Sequence, residues 1–404
     1  MNVFSKTYCR FIQFFIKTAQ RFLTFRTPDI KEDLFDVISI VKNKNLHHLY
    51  IVSGKHVSKI KKVQSFLEEL KKENIQFTLN TEVQADPTIH CINNLFLDYK
   101  KENCDSILAI GGGSVLDACK ALGILIVSKQ KDLNHYRGIL KVHHNLPFFI
   151  ACPTTAGTGS EATVAAVITD ERTNDKFAIS DPHLIPSIAI LDSSLLESLP
   201  QSTIAITGMD AFCHALEAYI GKGSLNHSDS YALQAIEEIK DNLLPFYESS
   251  QNEKARKKML FASFYAGLSF TRAYVGYIHA LAHAIGGKYH LPHGYCIAIL
   301  MPYVLKAYGK SAEKKLSEIA VILDKEKEIG NRKQRAMETI SFIESLNKQM
   351  NIPSSFKGAI KKEDYKSLAL HAKKEANPLY PVPKEFSVEE LEEIIASANE
   401  NGNE

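Results

Sequence analysis

No stretch of the 404 residues approaches the ~18 consecutive apolar residues of a membrane-spanning helix, so no transmembrane segment is expected. The chain also lacks a charge excess. Lys+Arg is 48 and Asp+Glu is 46, a formal net charge of +2, which gives no electrostatic reason to expect a nucleic-acid partner. It lacks a disulfide framework as well. The seven cysteines (Cys9, Cys91, Cys104, Cys119, Cys152, Cys213, Cys296) are odd in number, far apart and form no CxxC pair, which fits reduced thiols in a reducing, cytoplasmic setting. There is no internal repeat and no low-complexity tract. With 45% hydrophobic and 23% charged residues, the composition is that of a globular protein rather than a disordered chain or a rod.

One local absence stands out. No acid precedes Asp29, while Lys6, Arg10, Lys17, Arg21 and Arg26 occur in that stretch. Phe4, Tyr8, Phe11, Phe15 and Phe22 recur at helical spacing, so residues 1–28 read as a basic amphipathic helix. Such a helix can lie on an anionic membrane or serve as a mitochondrial presequence. The plainer expectation is that it packs its aromatic face on the body of the protein. The segment has neither the apolar core nor the cleavage site of a secretory signal.

From about residue 30 to 192, short apolar runs alternate with amphipathic stretches. Strands are expected at 48–53, 75–79, 106–110 and 147–151, and helices at 57–72, from Pro87 to 101, and at 114–127. Alternation of this kind predicts a mostly parallel sheet with helices on both faces. Beyond Asp192 the strand signals stop. Helical patterns follow at 203–221, 226–247, 252–272, 276–288, 295–309, 311–324, 332–350 and 388–398, with a frayed tail at 399–404. The expected organisation is an extension at 1–29, an α/β domain at 30–194 and an all-helical domain at 195–404.

Two loops carry the first chemical signal. Ile107-Leu-Ala-Ile-Gly111-Gly112-Gly113-Ser114-Val-Leu-Asp117 sets three glycines between an apolar strand and a helix. Glycine admits a close backbone approach, and a helix start offers N–H groups and a positive dipole end to an anion. Ser114 can cap the helix or donate to a phosphate. The spacing is not GxGxxG, so the cradle alone does not name a cofactor. The second loop, Pro153-Thr154-Thr155-Ala-Gly157-Thr158-Gly159-Ser160-Glu161, follows a strand at the end where open α/β sheets bind ligands.

The second signal is a set of metal-ligating side chains. Asp210 and His214 stand four residues apart, as do His279 and His283, so each pair shares a helix face. His290 and His293 follow, the latter in Leu291-Pro292-His293-Gly294. Imidazole and carboxylate together suit zinc or ferrous iron. The small and aliphatic neighbours of His279 and His283 predict a buried helix, where an unpaired imidazole is costly.

With these motifs in view, the chain resembles the iron-dependent (group III) alcohol dehydrogenase family. The likeness covers about residues 30–400. It rests on Gly111-Gly-Gly-Ser-Val-Leu-Asp-Ala-Cys-Lys-Ala121, on Pro153 to Glu161, on Gly208-Met-Asp-Ala-Phe-Cys-His-Ala-Leu-Glu-Ala-Tyr219, and on His279-Ala-Leu-Ala-His283 through Pro292-His293-Gly294. The resemblance implies a Rossmann-like dinucleotide-binding α/β domain, a C-terminal all-helical metal-binding domain, and an active site in the cleft between them. It implies Asp210, His214, His279 and His293 as ligands of Fe2+, with Zn2+ as the other candidate. It implies His283 as the catalytic histidine near the metal that handles substrate or relays a proton. Gly112, Gly113, Ser114 and Asp117 match the pyrophosphate loop, Thr154, Thr155 and Thr163 the nicotinamide end, and Lys176 a lysine near the cofactor ribose.

The family often carries Thr-Asp after the first strand, its acid binding the adenosine ribose. Here Ser53-Gly54-Lys55 stands in that place. The missing carboxylate and the added lysine leave both NAD and NADP as cofactors. Asp86-Pro87 replaces the family's Asn-Pro, and Tyr295-Cys296-Ile297 replaces Ala-Asn after Pro-His-Gly; these departures bear on cofactor choice and pocket shape. The implied activity is hydride transfer between nicotinamide and a small primary alcohol or its aldehyde, in a homodimer or larger homo-oligomer. Alternatives are a hydroxyacid–oxoacid transhydrogenase, a polyol dehydrogenase and a catalytically idle cofactor-binding scaffold. The last predicts broken motifs, and both motif sets are intact.

Overall fold

The computed structural model of the chain describes residues 3–20, 25–173, 175–324 and 330–400. Phe22 and the tail beyond Glu400, both singled out above, lie outside the described residues. The chain divides into two compact units, Phe25–Leu199, and Met1–Thr24 together with Pro200–Glu404.

Phe25–Leu199 is built on strands β1 (Asp29–Lys31), β2 (His48–Ser53), β3 (Gln76–Asn80), β4 (Ser106–Gly111), β5 (Gly138–Ile139), β6 (Phe148–Pro153), β7 (Ala165–Asp170), β8 (Asp175–Ser180) and β9 (Ile188–Ile190). Six of them form a parallel sheet in the order β1-β9-β6-β4-β2-β3. β2, β4 and β6 are near-continuous apolar runs because central strands of a parallel sheet are covered on both faces. β5, β8 and β7 form a small side sheet. The connecting helices are α2 (Asp36–Asn43), α3 (Lys61–Lys72), α4 (Ile89–Lys101) and α5 (Gly113–Val127). α4 starts two residues beyond the expected Pro87, where the Thr88 hydroxyl accepts from the Cys91 amide. β4 and β6 are neighbours with Gly111 opposite Pro153, so both polar loops leave the same end of the sheet.

The other unit is helical and carries α1 (Val3–Gln20), α6 (Gln201–Ile220), α7 (Asn226–Glu248), α8 (Glu253–Ala273), α9 (Tyr277–Tyr289), α10 (His293–Tyr308), α11 (Lys310–Leu323), α12 (Arg332–Gln349), α13 (Tyr365–Ala376) and α14 (Val388–Asn399). α6, α9 and α10 are apolar on nearly every side and form its centre. Among the described residues no helix is long and apolar enough to cross a membrane. This is the expected fold class, a parallel α/β sheet followed by an all-helical region.

α1 corrects one expectation. Its aromatic face does not pack on the protein: Tyr8, Phe11, Phe14 and Phe15 are 59–70% exposed. The helix docks by its polar side instead. Gln13 and Cys9 are buried, Arg10 donates to the Val382 carbonyl at 2.9 Å and pairs with the buried Glu385 at 3.1 Å, and Gln13 donates to the Tyr380 carbonyl at 2.8 Å. The reason is local. Segment 380–385 offers carbonyls and a buried carboxylate, and these need donors more than the surface needs apolar cover.

Candidate metal centre and nucleotide loops

In the helical unit, α6 presents Asp210, His214 and Glu217 along one face, at helical offsets of four and seven. α9 adds His279 and His283. A left-handed turn at His290 (φ 55°) ends α9, and α10 begins with His293. His290 itself is exposed and stands outside the cluster. Gly294 lets α10 close on α6, since a Cβ there would lie 2.3 Å from the Ile206 carbonyl oxygen.

Asp210, His279 and His293 bring one ligand atom each into a common group. His293 Nε2 lies 3.5 Å, His279 Nε2 3.7 Å and His214 Nδ1 3.8 Å from Asp210 Oδ1. These gaps are long for hydrogen bonds. They match ligand spacing around a cation, because ligands about 2.1 Å from a tetrahedral zinc stand about 3.4 Å apart. Asp210 Oδ1 and His279 Nε2 are buried with no hydrogen-bond partner, a costly arrangement unless something between them is shared. The residues therefore fit a divalent metal. Burial would raise the Asp210 carboxyl, but the imidazoles of His214, His279 and His293 hold it well below its ordinary range. Burial lowers His293. His214 lies off the tight trio, its ring stacked between Phe270 (4.2 Å) and His279 (4.4 Å).

Glu217 was not singled out in the sequence. Its carboxylate lies 2.7 Å from His279 Nδ1 and accepts from the Gly276 and Ile278 amides at 2.8 and 2.9 Å. That contact assigns the proton to Nδ1 and turns Nε2 toward Asp210, the arrangement by which a carboxylate orients a metal-binding histidine. A Cβ at Gly276 would sit 2.6 Å from Glu217 Oε1, so the glycine makes room for the carboxylate. Cys213, Glu217 and His279 make a second cluster of ligand types. It does not suit a cation. Burial, with Glu217 adding, pushes the Cys213 thiol up to about 12, and the Glu217 oxygens are already engaged.

His283 stacks on His293 with ring centroids 4.9 Å apart and meets His279 edge-on at 6.2 Å. Its Nδ1 lies 2.7 Å from Glu375 Oε1, which also accepts from the Tyr380 hydroxyl at 2.9 Å. Neither Glu375 nor Tyr380 was foreseen.

In the α/β unit, Gly112 is the N-cap of α5 and supplies no side-chain cap. The glycines serve space rather than unusual torsion, since none of the three has a positive φ. A Cβ on Gly111 would meet Val115 at 2.6 Å, and one on Gly113 would meet Thr158 of the second loop at 2.6 Å. Ser114 and Thr155 are half-buried, and Gly112 faces the Thr155 side chain. The Thr154 amide donates to the Gly111 carbonyl at 3.0 Å.

Three expected nucleotide residues are engaged within the protein. Asp117 accepts from the Ser160 hydroxyl at 2.6 Å and the Val167 amide at 2.9 Å, and so ties the two loops together. The Thr163 hydroxyl accepts from the buried Lys120, which also donates to the Thr163 and Ala165 carbonyls. Lys176 pairs with Asp86 at 2.5 Å. Lys120 and Glu161 are buried ionisable side chains that sequence reading missed. Burial drives Lys120 down to about 8, opposed by Asp117 and Glu161. Burial drives Glu161 up to about 7, opposed by its own amide and Lys120. At the end of β2, Lys55 lies 3.3 Å from Glu82.

Comparison with known proteins matches both halves of the chain. A family described as Iron-containing alcohol dehydrogenase matches residues 31–193, and the Fe-containing alcohol dehydrogenase family, C-terminal, matches residues 204–399. Alcohol dehydrogenase 4 of Saccharomyces cerevisiae is 35% identical over 374 residues, covering 91% of this chain and 95% of the yeast protein. The NAD-dependent methanol dehydrogenase of Bacillus methanolicus is 32% identical, covering 82% of this chain and 87% of its own length. Among solved structures, an alcohol dehydrogenase from Oenococcus oeni superimposes with a TM-score of 0.89 at 33% identity, covering 93% of this chain and 99% of that one.

Proposed function

From the premise that this chain belongs to the iron-containing alcohol dehydrogenase family, we propose that Asp210, His214, His279 and His293 hold one divalent metal ion, and that the loops Gly111–Asp117 and Pro153–Thr163 take NAD or NADP. The protein is an alcohol oxidoreductase. Its substrates on this reading are a small primary alcohol and the matching aldehyde. When bound, the metal polarises the substrate oxygen and the nicotinamide accepts or returns the hydride.

The chain's own residues do the rest. Asp210 supplies the negative charge of the site, and Glu217 keeps His279 turned so that Nε2 is its free nitrogen. The start of α5 offers backbone N–H groups to the pyrophosphate, with Ser114 beside them. Asp117 and Thr163 act from inside: they fix the second loop against α5 rather than presenting their side chains. His283, one turn beyond His279, accepts the proton of the substrate hydroxyl. Iron is the assignment that the family supports, and zinc suits the same donors. The Lys55–Glu82 pair supports NAD over NADP, because the lysine is already matched by an acid. No observation favours the transhydrogenase alternative.

The observation that carries the reading is the pair of partnerless buried atoms, Asp210 Oδ1 and His279 Nε2, with His293 Nε2 closing on the same oxygen. Elemental analysis of the purified protein, paired with NADH and NADPH oxidation against short aldehydes and 2-oxo acids, tests it. About one iron or zinc per chain and aldehyde reduction are expected. A metal-free protein that turns over aldehydes at the full rate would overturn it.

A further inference from the structure

His279 and His283 lie one turn apart on α9, and each Nδ1 meets a different carboxylate. His279 meets Glu217 at 2.7 Å, deep inside. His283 meets Glu375, on α13, also at 2.7 Å. A single carboxylate behind a metal ligand has an evident purpose. A second one, behind a histidine that is not in the ligand set, needs another explanation.

We propose that Glu375, backed by Tyr380, is the positioning residue for the proton acceptor of the reaction. It accepts a hydrogen bond from the Nδ1–H of His283 and so leaves Nε2 as the ring's basic nitrogen. This inference rests on the reading of His283 given above.

The geometry supports it from three sides. The 2.7 Å contact assigns the hydrogen to Nδ1, since an ionised carboxylate can only accept. Tyr380 donates to the same Oε1 at 2.9 Å, and burial with Glu375 alongside holds its phenol well above the ordinary range, so it stays a donor. Stacking on His293 at 4.9 Å fixes the plane of the ring. A base with its tautomer and its plane both fixed loses little orientation when it reacts.

The step balances. The substrate O–H bond breaks and leaves its electron pair on oxygen. The Nε2 lone pair forms the new N–H bond, giving an imidazolium whose charge Glu375 offsets. Nothing is oxidised here; the two-electron change is the hydride transfer of the established activity. The proton then passes to solvent, and reduction of the aldehyde runs the same path backwards.

The test compares Glu375→Gln, Glu375→Ala and Tyr380→Phe with wild type, all full-length and metal-loaded. Glu375→Gln is expected to lower kcat on the order of 10–100-fold with KM and metal content unchanged, because its amide can present N–H to Nδ1 and so favour the opposite tautomer. Tyr380→Phe is expected to lower kcat only a few-fold. Added formate is expected to restore part of the kcat of Glu375→Ala and to do nothing for wild type, which a merely structural role would not produce. If Glu375→Gln keeps kcat within two-fold, or if each loss follows a loss of metal and formate restores nothing, the inference is wrong. A His283→Gln control separates the two readings. If it too keeps full activity, the role of His283 is what fails; if it is inactive while Glu375→Gln is not, only the role of Glu375 fails.

Discussion

Each unit buries a cluster of charged side chains, and the two clusters are finished differently. In the α/β unit, Lys120 directs all three of its N–H bonds to Thr163 and Ala165, while Asp117 engages Ser160 and the Val167 amide. Burial moves Lys120 and Glu161 toward their neutral forms. In the helical unit, three imidazoles surround one carboxylate oxygen at 3.5–3.8 Å, and neither Asp210 Oδ1 nor His279 Nε2 finds a hydrogen-bond partner. The first cluster engages Lys120 and Asp117 within the protein and stiffens two loops, while the buried Glu161 Oε1 has no hydrogen-bond partner and converges on no other donor atom. The second leaves converging lone pairs, which only a cation can bring together. Buried charge alone is therefore a weak sign of function; buried charge with converging unpartnered donor atoms is a strong one.

The sharpest way to break this comparison is to remove a converging atom. Asp210→Ala or His279→Ala should reduce bound metal from about one per chain to near zero and lower turnover by at least ~10³-fold, since metal polarisation is worth several kcal/mol. Elemental analysis and steady-state rates on the same sample check it. A substitution in the other cluster should leave metal alone. Lys120→Met leaves the buried Thr163 and Ala165 acceptors without their donor and should cost about 3–5 kcal/mol in denaturant unfolding, with metal content unchanged.

Glu161→Gln sharpens the same contrast through pH. Burial raises Glu161 from its ordinary 4.5 to about 7. The folded protein then holds that proton more tightly than the unfolded chain, so its contribution is full below pH 4.5 and is lost as pH rises through 7. Between those limits wild type should lose about 3 kcal/mol relative to the variant, as read from unfolding curves across that range. The smallest effect is at Glu217. Glu217→Gln should weaken metal binding roughly 10–100-fold, about 1.4–2.7 kcal/mol, in competition with a chromogenic chelator. Unchanged affinity would mean that His279 needs no orienting partner.

How much could be read in advance follows from the same physics. β2, β4 and β6 were legible because strands covered on both faces must be apolar throughout, and α6 to α12 because their apolar period is long. The side chains of the proposed metal site could be picked out because i, i+4 spacing puts Asp210 and His214 on one helix face, and the resemblance implied the rest of the set. Glu217 was within reach by that logic, being seven residues from Asp210, but a single acid gives no sign of its partner. α13 was missed: its buried face is Leu368, Ala369, Ala372 and Ala376, too small a stripe to register, and Glu375 was missed with it. Lys120 left one trace, a lone charge in the apolar run from Ala118 to Val127. The orientation of α1 was beyond reach. Its period marks an amphipathic helix, but only the carbonyls of Tyr380 and Val382 and the carboxylate of Glu385 decide that the polar side faces inward.

The most direct test is an anomalous difference map from a crystal of the full chain grown with iron or zinc, collected at the absorption edge of that metal. One strong peak is predicted, with an oxygen of Asp210 and a ring nitrogen each of His214, His279 and His293 about 2.0–2.3 Å from it. A peak elsewhere, or those four side chains remaining in place around no ion at saturating metal, would contradict the account.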